Sequence, residues 1–327
     1  MNAEVLQTPQ LSNSRLLLLG VSSVVLCVSF IMSVFAPFPL ALAFILYGRA
    51  KGFFTGLLGL ALSYAFASMV YQDVTLFTFY IGVFVFGFAI AEIVARGFSP
   101  IKGLVTFGMT FILLMAAIFF AFIKPHQMTT EQFVLKQIEK SSDALAEQKK
   151  MIEQSSQEVS PDVLELLGRP DLIAKNIIEL FPSFFFIGVF VMLWFNMFLV
   201  LKSRRLLFAG TDYPYSEQNL LNFRVPFEFV ILLIVGLILI LWGNNLGVQH
   251  SEFVGMTILY CLGIFYFFQG FGVFSDLLSF LGIMGFFRTL VVMFVIFFKG
   301  GYLIAATGLF DNWFEFRKYF VKPKNED

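Results

Sequence analysis

The sequence predicts an all-α fold, a polytopic transmembrane helical bundle, and three observations carry that expectation. Of 327 residues, 58% are apolar and 13% are charged, against about 45–50% and about 25% in an ordinary soluble domain. The apolar residues collect in long runs, the first of which holds no charge from Leu16 to Gly48. None of these runs alternates apolar with polar residues, as the strands of a membrane barrel do. Backbone groups in hydrocarbon must be paired within their own segment, so such runs form helices. Basic and acidic residues balance at 22 each, which leaves no electrostatic footprint for nucleic acid.

Taken in order, the first run is too long for one crossing of about 20 residues and too short for two full ones. Pro37 and Pro39 divide it into a helix over 16–35 and a short proline-initiated segment over 38–47. Its length exceeds the apolar core of a cleaved signal, so it reads as a retained anchor. Further charge-poor runs lie at 53–71, 74–95, 104–123, 180–201, 229–242, 253–275 and 286–309. The expectation is seven to nine membrane elements in two blocks, 1–123 and 177–310, separated by a polar insert at 124–176 and followed by a basic, aromatic tail at 311–327.

Arg49, Lys51, Arg96, Lys102, Lys202, Arg204, Arg205 and Arg224 fall in alternate short loops, while the opposite loops at 72–73 and 243–251 hold no Lys or Arg. The basic loops are expected to be cytoplasmic and the insert extracytoplasmic. A final run that doubles back at Gly300-Gly301 puts the tail with the basic loops; one that crosses puts it opposite. The sequence leaves both open.

Within the insert, Ile138, Leu145, Ile152 and Val159 recur every seven residues, but Ser141, Gln148 and Ser155 take the paired positions. This is half a coiled-coil seam, read either as a solvated arm or as a helix for oligomerisation or partner docking. Ser160-Pro161-Asp162 reads as a helix start. Residues 171–181 read as an interfacial helix that feeds the next span through Pro182.

Gly48, Gly52, Gly56, Gly59 and Ser63 form a stripe of small residues suited to close helix packing. Polar groups inside spans are costly and often functional; Glu92, Asn196, Glu228 and Gln269 are of this kind. Tyr71, Asp73 and Tyr80 near an outer mouth, with Asn196 and Gln269 inside, are the candidate solute contacts. Asp311, Trp313, Phe316, Arg317 and Lys318 form an aromatic and basic segment suited to the membrane interface or to a protein partner, with Asp311 read as a helix cap. Cys27 and Cys261 read as small buried hydrophobes. His126 and His250 have no companions at metal-ligand spacing, so no metal or cofactor is expected. Phosphate loop, nucleophile elbow and zinc-protease helix are all missing from the sequence, and the expectation is a protein without catalysis of its own.

Pro37-Phe38-Pro39 followed by the glycine stripe, Gln269-Gly270 in a late span and the ending Gly308–Lys318 together resemble the YybS-like family of bacterial membrane proteins, a domain of unknown function. The resemblance implies an inner (cytoplasmic) membrane location. It also implies a front half similar to the S components of energy-coupling-factor vitamin transporters, which capture a solute and work with a separate energising partner. Two departures stand against the S-component likeness: Ser23 and Cys27 replace the usual alanine stripe, and few polar side chains are available for a vitamin pocket. The leading expectation is a solute-binding or transport component for a small hydrophobic or amphipathic solute. The alternative is a scaffold subunit, homo-oligomeric or joined to another membrane protein.

Overall fold

The computed structural model describes residues 12–29, 32–71, 74–123, 129–140, 169–207, 213–243, 245, 247–295 and 300–320. Every regular element among them is helical: α1 (Asn13–Val28), α2 (Pro37–Tyr47), α3 (Arg49–Phe66), α4 (Thr75–Ala95), α5 (Pro100–Ile123), α6 (Thr130–Lys140), α7 (Pro170–Leu207), α8 (Glu217–Leu221), α9 (Phe229–Trp242), α10 (Ser251–Phe280), α11 (Gly285–Val295) and α12 (Gly301–Phe314). Short 3-10 turns at Ser33–Phe35 and Phe316–Phe320 and a π turn at Ala67–Tyr71 complete the set. Among the described residues five segments are long and apolar enough to cross a membrane: Arg49–Val70, Thr75–Ala95, Pro100–Ile123, Asp171–Ser203 and Ser251–Phe280. Asn13–Val28, Ser33–Tyr47 and Phe229–Trp242 are shorter apolar helices.

The contacts divide the chain into two units, one of Met1–Met109, Val189–Val225 and Ile264–Asp327, the other of Thr110–Gly188 and Pro226–Gly263. At the front of the first unit, α1 starts on a Ser12 cap, whose side chain accepts from the Ser14 N–H at 3.3 Å. The Tyr47 hydroxyl at the close of α2 donates to the Ser12 carbonyl at 3.1 Å. The start of α1 and the end of α2 therefore lie together, and the two helices form a returning pair. Pro37 opens α2, where its missing N–H costs nothing. Gly48, at φ 84°, then turns the chain into α3, a conformation that suits a residue without a Cβ.

The small-residue stripe of α3 faces rings. A Cβ added at Gly52 would meet the Phe44 ring, at Gly56 the Phe84 ring, and at Gly59 the Tyr80 ring and hydroxyl. Phe44, Phe53, Phe84 and Phe88 meet mostly edge to face at 5.3–6.0 Å, a favoured ring geometry. Val24, Cys27, Ala36, Leu40, Tyr80 and Val83 form the buried core of this bundle. On α4, Gly87 lets the backbone of α2 approach, since a Cβ there would lie 2.8 Å from the Leu40 Cβ.

The other end of the first unit contains a second returning pair. Within the run read at 286–309 the described residues form α11 and α12, of 11 and 14 residues; 296–299 lie outside the described residues. Arg288 at the start of α11 donates to the Ser275 carbonyl at 3.2 Å and to the Ser279 hydroxyl at 3.3 Å. The Phe320 ring, past the end of α12, lies 6.0 Å from the Phe280 ring. Both ends of the pair thus sit at the C-terminal end of α10.

In the second unit, α9 crosses the start of α10 at two glycines: a Cβ on Gly255 would lie 2.6 Å from the Gly236 carbonyl oxygen. Phe119 and Phe122 of α5 meet Phe133 of α6 at 6.1 and 6.0 Å. Phe111 and Phe185 stack at 6.3 Å.

The segment at 171–181 feeds the next span through Pro182 as one helix. Helix α7 runs continuously for 38 residues with Pro182 inside it, about 57 Å of helix. Proline within an apolar helix removes one backbone hydrogen bond, which local adjustment and neighbouring helices accommodate at membrane depth. The expected helix start at Ser160-Pro161-Asp162, and Leu145, Ile152 and Val159 of the heptad pattern, lie outside the described residues, as does His126.

Candidate functional site

Two polar constellations stand out in the first unit. The first joins α8, α10 and α12. Gln269 is fully buried; its Oε1 accepts from the Val225 N–H at 2.8 Å, and its Nε2 donates to Asn312 Oδ1 at 3.0 Å and Asp311 Oδ2 at 3.3 Å. One side chain thereby holds the loop after α8 and the last turn of α12 onto α10. Backbone approach makes this possible. A Cβ on Gly270 would collide with the Ile304 carbonyl oxygen, one on Gly308 with that of Tyr266, and one on Gly272 with that of Leu221. Only glycine permits such crossings.

Arg317 closes the same cluster. Glu315 ends α12 in the left-handed region, at φ 46°, and turns the following residues back toward α10. The guanidinium donates to the Gln269 carbonyl at 3.1 Å, the Phe223 carbonyl at 3.4 Å and Asn222 Oδ1 at 3.2 Å. It lies 3.8 Å from the Asp311 carboxylate and 4.0 Å from that of Asp276. Burial pulls the Arg317 pKa below its usual range, with Asp311 and Asp276 opposing the shift. Lys318 pairs with Glu315.

The second constellation is an open cleft of about 420 Å³ where α2 passes into α3 and α4 ends. Phe44, Ile45, Ala91, Val94 and Ala95 give it an apolar lining; Gly48, Arg49, Glu92, Gly97 and Tyr213 complete it. Glu92 accepts from Arg49 Nε at 2.6 Å and Arg49 Nη2 at 2.9 Å, and from Arg96 Nε at 2.8 Å. The arginine side chains are 65% and 60% exposed, whereas that of Glu92 is 14% exposed. The Tyr213 hydroxyl donates to the Phe98 carbonyl at 2.8 Å, fixing its ring at the rim.

Of the candidate solute contacts, Tyr80, Asn196 and Gln269 are described, and all three are buried. Asp73 and the Tyr71 side chain lie outside the described residues. Tyr80 is wholly buried, with its hydroxyl 3.3 Å from the Ser23 hydroxyl, which in turn donates to the Ala36 carbonyl at 2.8 Å. An apolar tyrosine ring with a hydroxyl anchor suits a core as well as a mouth, and sequence spacing does not separate the two. Asn196 is also buried, its amide Nδ2 at 2.6 Å from both the Val34 and the Met192 carbonyls. Gln269 is committed as described above. Asp311 lies within α12 rather than capping it, and Arg317 is turned inward rather than toward an interface. Trp313 is half exposed. Among the described residues no cluster of His, Cys, Asp and Glu could hold a metal ion. Sequence reasoning singled out Glu92 and placed Arg49 and Arg96 in the basic loops, but missed Tyr213, which comes from a distant loop with no motif around it.

The helices and their apolar runs define a polytopic membrane protein. Residues 15–312 match a family described as predicted membrane protein (DUF2232), and the chain belongs to that family. No curated protein and no solved structure matches the chain.

Proposed function

We propose that this protein is a non-catalytic component of a solute-binding or transport system in the bacterial inner membrane, working with a separate energising partner. The observation that carries the proposal is the interrupted pair α1–α2, two short apolar helices that return on each other at the front of the first unit. Transporters build solute sites at membrane depth from short helices interrupted at Gly or Pro, because breaks expose backbone groups only where a cavity or protein covers them. The resemblance to the YybS-like family, and of the front half to S components, supports the same reading. So does the open cleft, which lies at the opposite end of α3 and α4 from the mouth expected around Tyr71 and Asp73. The contacts of Arg317 with Asn222 and Phe223, beside the basic loops read as cytoplasmic, support a tail on that side.

One observation favours a scaffold instead: Tyr80, Asn196 and Gln269 are committed to internal hydrogen bonds. Native mass spectrometry of the protein taken gently from its own membrane separates the two readings. A monomer that retains a small mass is the expected result. A multimer or a co-purifying protein without a small molecule overturns the solute-binding reading. Deleting 127–159 then tests the scaffold, whose assembly should dissociate if the arm holds it.

A further inference from the structure

We propose that the cleft between the start of α3 and the end of α4 binds the phosphate-bearing head of an anionic amphiphile, through Arg49 and Arg96. The inference deepens the binding reading above and rests on it. Arg49 and Glu92 line the cleft, and Arg96, beside its lining, is bonded to Glu92; one negative and two positive charges leave the trio a formal excess of one positive charge. A guanidinium has five N–H donors in a planar fork. The bonds to Glu92 use two from Arg49 and one from Arg96. Each fork is therefore oriented by the carboxylate with further donors remaining, and Arg forks match phosphate oxygens as well as carboxylates.

The surroundings narrow the class. Between Gly48 and Gly103 the only acids are Asp73 and Glu92, and Lys51 and Lys102 lie in the same basic segments as Arg49 and Arg96. The lining beyond the charges is apolar: Phe44, Ile45, Ala91, Val94 and Ala95. A head that is charged at one end and continues into an apolar portion satisfies both parts. The volume of about 420 Å³ falls in the range of small-molecule pockets and admits no helix of a protein partner. Phosphate chemistry is shared by a lipid headgroup and by a soluble phosphorylated amphiphile, and the test separates them.

The test uses the full chain in an uncharged detergent, probed by native mass spectrometry with dihexanoyl phosphatidic acid, dihexanoyl phosphatidylcholine and inorganic phosphate. Phosphatidic acid should bind about tenfold or more tightly than phosphatidylcholine, the scale of a charge-assisted bond. Arg49→Gln with Arg96→Gln should remove that preference. Glu92→Gln should strengthen phosphatidic acid binding, because it frees donors and removes a competing anion; a merely structural trio predicts weakening. Ala95→Trp, an exposed position that fills the cleft, should block binding with both arginines in place. Displacement by millimolar inorganic phosphate identifies a soluble phosphorylated source, and resistance identifies a lipid; either supports the site. Equal binding of the two lipids, or unchanged binding in Ala95→Trp, overturns the proposal. Retention of some other small mass, lost in Ala95→Trp but indifferent to the arginines, overturns the anionic class and leaves the binding reading standing. Failure of any variant, and of the native chain, to retain a small mass overturns both.

Discussion

The front bundle α1–α4 and the back cluster α10–α12 each pack a returning pair of short helices against long ones, yet they are held by different forces. In front, glycines of α3 accept whole aromatic rings, and the main side-chain bond across the core is Tyr80 to Ser23. Dispersion between closely fitted surfaces does most of the work there, since lipid is as apolar as the side chains and supplies no hydrophobic drive. At the back, glycines accept backbone carbonyls, and Gln269 and Arg317 tie the crossing through hydrogen bonds and charge. Backbone dipoles brought into contact need polar partners, whereas rings do not. A glycine stripe therefore has two meanings, and the residue opposite decides between them.

This contrast can be broken in four places. Gly270→Val should be the most severe, because its side chain has only rigid backbone to displace; no monodisperse protein should elute from size exclusion in detergent. Arg317→Met should cost about 3 kcal/mol or more by thermal unfolding, the scale for stranding a buried charge. The double change Arg317→Met with Asp311→Asn should cost less than the sum of the singles, since the stranded carboxylate is gone. Gly59→Leu should cost roughly 1–3 kcal/mol, since a ring and hydroxyl can shift where a backbone cannot. Tyr80→Phe should be mildest, at about 1 kcal/mol or less for one neutral hydrogen bond. A Tyr80→Phe loss as large as that of Arg317→Met would mean that the front bundle also depends on a polar anchor.

The helical class and most helix positions were legible in the sequence, because a charge-free run of about 20 residues has few other solutions. For 286–309 the sequence left a crossing and a return both open, and the contacts that bring Arg288 and Phe320 to the end of α10 carry no sequence signature. The passage from 171–181 into the next span through Pro182 was legible, although local propensity at a proline argues for a stop. The candidate site was legible least of all. Polar residues inside apolar runs can be singled out from the sequence, but sequence does not show whether such a group faces a cavity or a neighbouring carbonyl. Tyr80, Asn196 and Gln269 face neighbours. The cleft instead draws on Arg49, Glu92 and Tyr213, from segments more than 40 residues apart, which no periodicity connects.

Arg317 bonds to Asn222, Phe223 and Gln269, all of which leave the ribosome before it does. Until it arrives, those carbonyls and the Asp311 carboxylate wait without their cation inside the forming bundle. The crossing of α12 over α10 is thus completed by a residue that lies outside both helices and follows them in the chain.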